Sequence, residues 1–279
     1  MRNMLIADSG STKTDWLMGD MRMQTQGINP FHQDEDAIRT ILREELLPQM
    51  GERRPEGIAF YGSGVRPELE EKMAGLLGEI FPEVGEGLIQ AHGDLLGAAR
   101  ALCGRQRGIA CILGTGANSC LYDGQHIVQN TPPMGYILGD EGSGAVMGAR
   151  FLNALYKKRL PATLQVAFED AMQLSLADVI DRVYRQPLAN RWLASLSVFI
   201  HQHLGEPGVH RLVVENFLDF IDCNIEPYGR RDLPLSAVGS IAYYYQQQLA
   251  EAARERGYAV GRILRSPIDG LAEMEHLGG

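Results

Sequence analysis

The sequence holds no apolar run long enough to cross a membrane or act as a secretory signal. Its N-terminal stretch, Met4 to Ala7, is cut short by Asp8, and the expected location is the cytoplasm. Cysteine is scarce: Cys103, Cys111, Cys120 and Cys223 form no CxxC pair and no metal-like cluster, which points to reduced, mostly buried thiols rather than a disulfide framework. No surplus of basic charge is present. The formal net charge of −9 argues against a nucleic-acid surface while leaving room for a local phosphate pocket. His32, His126, His201, His203 and His210 show no metal-ligand spacing; His201 and His203, two apart on an expected helix, cannot share a face. Low-complexity tracts are missing too, and 45% hydrophobic with 22% charged residues is a globular balance. At 279 residues the chain can form two domains, each with its own core.

The segment Ile6-Ala7-Asp8-Ser9-Gly10-Ser11-Thr12-Lys13-Thr14-Asp15 runs a short apolar strand into an acidic residue and a small-residue turn. Glycine allows close approach to a phosphate, the hydroxyls and Lys13 add donors and charge, and Asp8 can hold a hydrated divalent metal. A strand, a Gly/Thr turn and a strand recur at Ala110 to Leu121, and aligning Gly10 with Gly116 superposes the two hairpins. Such a repeat suggests a duplicated domain whose halves grip one nucleotide from opposite sides; two ordinary β-hairpins are the competing explanation.

Periodicity extends the duplication. Strands are expected at 14–19, 22–27, 57–61 and 88–91. A helix over 34–47 turns Ile38, Ile41, Leu42 and Leu46 inward and stops at Pro48, a second opens at Pro67, and a third begins near Asp94. The βββαβαβα order restarts with strands near 109–113, 117–122 and 126–129, a helix over 143–158, a strand at 235–238, a helix over 240–256 and a strand at 258–264. An all-helical insertion over about 160–226 interrupts it, its apolar stripes reading as core. The expected domains are 1–104, with the helix of 267–279 packing back on it, and 105–266 carrying the insertion.

The two hairpins, the Gly135–Gly144 segment and Val238-Gly239-Ser240-Ile241-Ala242-Tyr243-Tyr244 together resemble the acetate and sugar kinase, heat-shock cognate and actin superfamily. Within it the chain is most similar to the N-acetylglucosamine kinase branch, which shares a sequence family with the BadF/BadG/BcrA/BcrD-type ATPases. The resemblance spans nearly the whole chain. It implies an α/β fold of duplicated actin-like, ribonuclease H-like ATPase domains flanking a nucleotide cleft. It also implies ATP and Mg²⁺ as cofactors, with Gly10, Ser11, Thr12, Lys13, Thr14, Thr115, Gly116 and Asn118 at the phosphates, Asp8 on the metal through water, and Gly239, Ser240 and Ala242 at the adenosine. Asp94, in His92-Gly93-Asp94 at a strand-to-helix junction, is implied as the general base for the acceptor hydroxyl, with an N-cap as its plainer role. The resemblance places sugar contacts at Asn29, Asp94, Gly116 and Asp140, with Asn29 in the loop Gly27-Ile28-Asn29-Pro30, and Tyr61-Gly62-Ser63-Gly64 against an acetamido group. Glu141 reads as a first-turn acid complementing a helix dipole.

The activity so implied is transfer of the ATP γ-phosphoryl group to the 6-hydroxyl of N-acetylglucosamine or a related amino sugar. Asn29 and Asp140, from opposite halves, are expected to meet as the cleft closes. The partner is a small sugar, with no nucleic acid or membrane, and the superfamily allows a homodimer. Two alternatives stay open: an ATPase without a sugar acceptor, of the dehydratase-activator type, and a sensor that binds nucleotide or sugar without turnover.

Overall fold

A computed structural model of the protein describes residues 3–10, 12–85 and 87–276. Five strands build a first sheet: β1 (Met4–Ser9), β2 (Lys13–Met18), β3 (Met21–Gln26), β4 (Gly57–Gly62) and β5 (Ile89–Gly93), in the order β3-β2-β1-β4-β5. The first three meander antiparallel, and β1, β4 and β5 run parallel. Every residue of β4 is buried, as suits a parallel strand covered on both faces. The second sheet repeats the plan. Its strands β6 (Gly108–Leu113), β7 (Ala117–Tyr122), β8 (Ile127–Gln129), β9 (Leu235–Val238) and β10 (Val260–Leu264) take the order β8-β7-β6-β9-β10, with the same pattern of directions. This is the two-unit α/β fold expected from the repeat. One compact unit comprises the chain up to Gln106, Gly124–His126 and the residues from Ser266 on; the other comprises Arg107–Asp123 and Ile127–Arg265.

In the first unit the helix Pro67–Ile80 starts on its proline, whose missing N–H would be unpaired there anyway. It buries Met73, Leu76, Leu77 and Ile80, each contributing about 1.5–3 kcal/mol when fully removed from water. The helix Ile268–His276 packs on the helix Asp94–Cys103, with Gly270 against the Ala101 carbonyl. In the second unit the insertion is helical throughout, and Phe151, Phe168 and Phe199 form a mutually tilted aromatic cluster under it.

Among the boundaries that differ from the sequence expectation are those of three helices. Pro48 does not stop its helix: Glu35–Thr40 continues through a π-helical turn, Ile41–Leu46, into Leu47–Met50, where the proline falls in the first turn of the last segment. The expected helix over 240–256 is two, Ser240–Tyr244 and Gln246–Glu255, broken at Tyr245, which is buried and donates its hydroxyl to the Ser197 carbonyl. The helix after the acidic loop is Gly144–Tyr156, capped by Ser143, whose Oγ accepts the Val146 N–H at 3.1 Å. No helix among the described residues is long and apolar enough to cross a membrane.

Candidate functional site

The register of β1 with β2 sets Asp8 directly opposite Asp15, and Ser9 opposite Thr14, at the mouth of the first hairpin. Gly10 N–H donates to Lys13 O at 3.0 Å, closing the turn. Ser11 lies outside the described residues; Thr12 is exposed beside it. Lys13 extends into solvent and pairs with Asp15 at 2.7 Å. Thr14 takes a different part from the one expected. It is fully buried, its hydroxyl lies 2.6 Å from Ser9 Oγ, and it donates to Gln26 O at 3.1 Å. With no exposed surface it ties the hairpin to the neighbouring loop instead of facing a phosphate. Ser9, which the sequence did not single out, does the same by donating to Ile28 O (2.9 Å) and accepting from Ile28 N–H (3.0 Å).

That loop carries Asn29, whose Oδ1 accepts the Phe31 N–H at 3.0 Å in an Asx turn. The Asn29 side chain also lies so close to Gly64 that a Cβ there would overlap it, so the Gly27–Pro30 and Tyr61–Gly64 loops are brought together. Ser63 Oγ is buried there without a hydrogen-bond partner.

Asp94 is the first residue of its helix, with Gly93 in the N-cap position. Its carboxylate accepts from its own N–H and that of Leu95, but burial outweighs both and raises its pKa above the ordinary carboxylate value. Asp8 is pushed up to about 7, first by burial and then by the like charges of Asp15 and Asp94; Lys13 and the nearby Ser266 hydroxyl oppose the shift weakly. Asp8 is thus a buried carboxylate within reach of the charges of Asp15 and Asp94. Among the described residues no three or more His, Cys, Asp or Glu side chains could cage a metal by themselves. A divalent ion at Asp8 would therefore have to keep most of its waters, as Mg²⁺ does, and be held by the carboxylate through them.

This electrostatic arrangement has a measurable consequence. A carboxylate whose folded pKa is raised favours its protonated form in the fold, so Asp8 costs the metal-free protein stability increasingly as pH climbs from about 3.8 to about 7. In EDTA, Asp8→Asn is expected to melt above wild type at pH 8, by on the order of 5 °C, with the gap closing toward pH 4. Equal melting temperatures at pH 8 would show that burial and the neighbouring charges do not raise the Asp8 pKa as described.

In the second unit Gly114 N–H donates to Gly116 O at 3.0 Å, the counterpart of the Gly10 bond in the first turn. By position at the end of its strand, Gly114 rather than Gly116 is the equivalent of Gly10, and the second turn is one residue shorter. Gly114 O and Thr115 O accept the N–H groups of Gly144 and Ala145 at 2.8 and 3.2 Å, docking the turn on the start of the Gly144–Tyr156 helix. Thr115 remains exposed. Asn118 Oδ1 accepts from Ser119 N–H and Asn130 Nδ2, both at 2.9 Å.

Asp140 comes onto this turn, and a Cβ on Gly116 would sit 3.0 Å from its Oδ2. Its backbone is left-handed (φ 55°), a conformation that aspartate tolerates better than most residues, fixed by Asp140 N–H to Pro133 O at 2.9 Å and Ser143 N–H to Asp140 O at 3.0 Å. Burial raises its pKa and the Glu141 charge adds to this, while N–H donors of Ala117 and Gly135 oppose it. Asp140 and Glu141 precede the helix, so the first-turn role expected of Glu141 does not hold; its Oε2 accepts from Asn224 Nδ2 at 3.1 Å.

Gly239 leaves β9 at φ 121° against the Leu113 carbonyl, an approach and a conformation open only to glycine. Ser240 is exposed beside it, whereas the Ala242 side chain is fully buried and faces the core rather than a ligand.

No protein-family model and no curated protein matches the chain. Solved structures do. A Porphyromonas gingivalis protein provisionally named an N-acetylglucosamine kinase is 47% identical, with a TM-score of 0.93 over 98% of this chain and 99% of that one. A similarly named protein of Chromobacterium violaceum shares the fold at 20% identity, with a TM-score of 0.68 over 98% and 99%. A ROK-family glucokinase of Streptomyces griseus, solved with glucose and AMPPNP, shares it at 12% identity, with a TM-score of 0.54 over 98% of each chain. At 47% identity across nearly the full length of both proteins, this chain belongs to the ATP-dependent carbohydrate kinases of the actin-like ATPase superfamily.

Proposed function

We propose that the protein phosphorylates the 6-hydroxyl of N-acetylglucosamine, or of a closely related amino sugar, at the expense of MgATP. The observation that carries this reading is the full-length likeness to the Porphyromonas gingivalis protein. The site residues support it. Asp94, a buried carboxylate with a raised pKa at the start of a helix, takes the hydroxyl proton late, as phosphoryl transfer requires little more of a base. Asp8 would hold a hydrated Mg²⁺ through water, and that ion would neutralise the charge of the phosphates. Lys13, Gly10, Thr12 and the exposed Thr115 turn, with Gly116 and Asn118, hold the phosphoryl groups. Gly239 and Ser240 receive the adenosine. Asn29 and Asp140 hydrogen-bond the sugar, Asp140 as a bidentate acceptor for vicinal hydroxyls. Kinship with the BadF/BadG/BcrA/BcrD-type ATPases is part of the same proposal. Cys103, Cys111, Cys120 and Cys223 form no disulfide, which suits a reducing cytoplasm.

The test is ADP release with MgATP alone and with N-acetylglucosamine, N-acetylmannosamine, glucosamine or glucose. Release strongly stimulated by N-acetylglucosamine, with product carrying phosphate on O6 by NMR, is the expected result. Release independent of any sugar would instead make the protein an ATPase, and a preference for glucose would overturn the amino-sugar assignment.

A further inference from the structure

One strip of the helical insertion grips the loop that carries Asp140. Asn216, Phe220 and Asn224 recur every fourth residue along the helix Pro207–Phe220 and the π-helical turn Ile221–Ile225 that extends it. They meet the run Glu141-Gly142-Ser143 in reverse order. Asn224 Nδ2 donates to Glu141 Oε2 at 3.1 Å. Gly142 (φ 81°) lies against Phe220, where a Cβ would come within 2.7 Å of the phenylalanine Cβ. Asn216 Nδ2 reaches Ser143 O at 3.4 Å. Asn216 is 0% and Asn224 4% exposed. Amides at such sites cost stability unless they are hydrogen-bonded, and apolar packing alone would be served better by leucine. For Asn224 the identity answers to the loop it holds through Nδ2, whereas Asn216 leaves its Oδ1 buried without a partner.

Asn224 also acts through its backbone. Its carbonyl, close to the end of the helical run where intrahelical donors are lacking, accepts from Thr131 Oγ1 at 2.9 Å and from Ser119 Oγ at 3.4 Å. Ser119 Oγ is further engaged with Tyr228 Oη at 2.7 Å, and that hydroxyl accepts the Thr131 N–H at 3.1 Å. Ser119 follows Asn118 in β7, and Asn130 Nδ2 bridges Asn118 Oδ1 and Ser119 O. One residue is thus joined on one side to the neighbour of Asp140 and on the other to the strand that carries Asn118. Widened π-helical turns often mark functional positions, and this one sets the Asn224 side chain and carbonyl toward two different segments.

We infer that Asn224 is a positioning residue, which through Glu141 holds Asp140 in its left-handed conformation over the Thr115–Asn118 turn and thereby sets affinity for the acceptor sugar. The inference rests on the sugar-kinase reading of Asp140. It also makes the insertion a structural part of the acceptor site, because the strip lies wholly within it.

The test exchanges donor and acceptor. Asn224→Asp keeps shape but sets a second carboxylate against Glu141. Asn224→Asp with Glu141→Gln restores the bond in reverse, the glutamine Nε2 donating to the new carboxylate. Two readouts are taken on the full chain: kinetics with N-acetylglucosamine and MgATP varied separately, and amide hydrogen exchange of residues 134–144, which reports the Asp140 and Ser143 N–H bonds. Asn224→Asp is expected to raise KM for the sugar about 10-fold or more, to leave KM for MgATP within about 3-fold, and to speed exchange in 134–144. The paired variant should return both toward wild type, which also answers a loss due merely to poor folding. An unchanged sugar KM in Asn224→Asp, or a pair that restores exchange without restoring KM, would overturn the inference. If wild type phosphorylates no sugar, the kinase reading falls and exchange alone decides: acceleration reversed by the pair upholds the holding role, and unaltered exchange ends it.

Discussion

Replacing Asp94 with asparagine is expected to lower kcat by about 10²-fold or more while leaving nucleotide affinity unchanged. The amide preserves the shape of the carboxylate at the first turn of its helix and can still accept from the Leu95 N–H. It cannot accept the proton of the acceptor hydroxyl. The pH profile gives a second signature. A general base must be ionised to act, so activity should rise with pH through the Asp94 pKa, which burial holds above the usual carboxylate range. That acidic limb should disappear from whatever activity the variant retains. Steady-state kinetics across pH, with calorimetric titration of nucleotide, would measure both. Turnover within a few-fold of wild type would remove Asp94 from the mechanism, and lost nucleotide affinity would assign it to the phosphates instead.

Asp140→Ala should raise KM for the sugar by about 10- to 150-fold, since a hydrogen bond donated to a charged acceptor contributes roughly 1.5–3 kcal/mol. Alanine is also strained at φ 55°, so a loss in this variant alone would mix binding with backbone conformation. Asp140→Asn separates the two. Asparagine tolerates the left-handed region and retains an acceptor for the Ala117 and Gly135 N–H groups, but it loses the charge and one acceptor oxygen. An intermediate rise in KM for asparagine, with thermal stability close to wild type, is the pattern expected of a direct sugar contact. Equal KM values in wild type and both variants would exclude Asp140 from the acceptor site.

Much of the architecture was legible in the chain. Gly/Thr turns between apolar strands marked both hairpins, and the βββαβαβα order recurred because each unit closes the same sheet. Strand Leu235–Val238 was read to the residue, and the helix expected near Asp94 begins there, as a short apolar run and a strand-to-helix junction are local signals. Pro48 misled because a π-helical turn ahead of it shifts the bonding that a proline would break. Tyr245 was hidden because its break answers to a contact with Ser197, far off in sequence. The equivalence of Gly10 with Gly114 emerged only once strand ends were paired, since turns of unequal length defeat alignment by motif. Asp15 could have been found beforehand: any hairpin closing at Ser9 and Thr14 must place it opposite Asp8.

By itself the sequence determined the repeat and the turns, because these follow from short-range sterics and periodicity, while its resemblance to a kinase family singled out Asp94 and Asp140 as candidate site residues. Tertiary structure decided which of those residues are available. It buried the Thr14 hydroxyl against Ser9 and turned Ala242 into the core, and it buried Asp8 beside Asp15 and Asp94, so that desolvation first and their like charges second raise its pKa. It also brought Asn224 against Glu141 across 83 positions of sequence. Exposure, charge coupling and long-range hydrogen bonds depend on distances in space, and residue type and spacing along the chain do not specify those distances until the sheets and helices have packed.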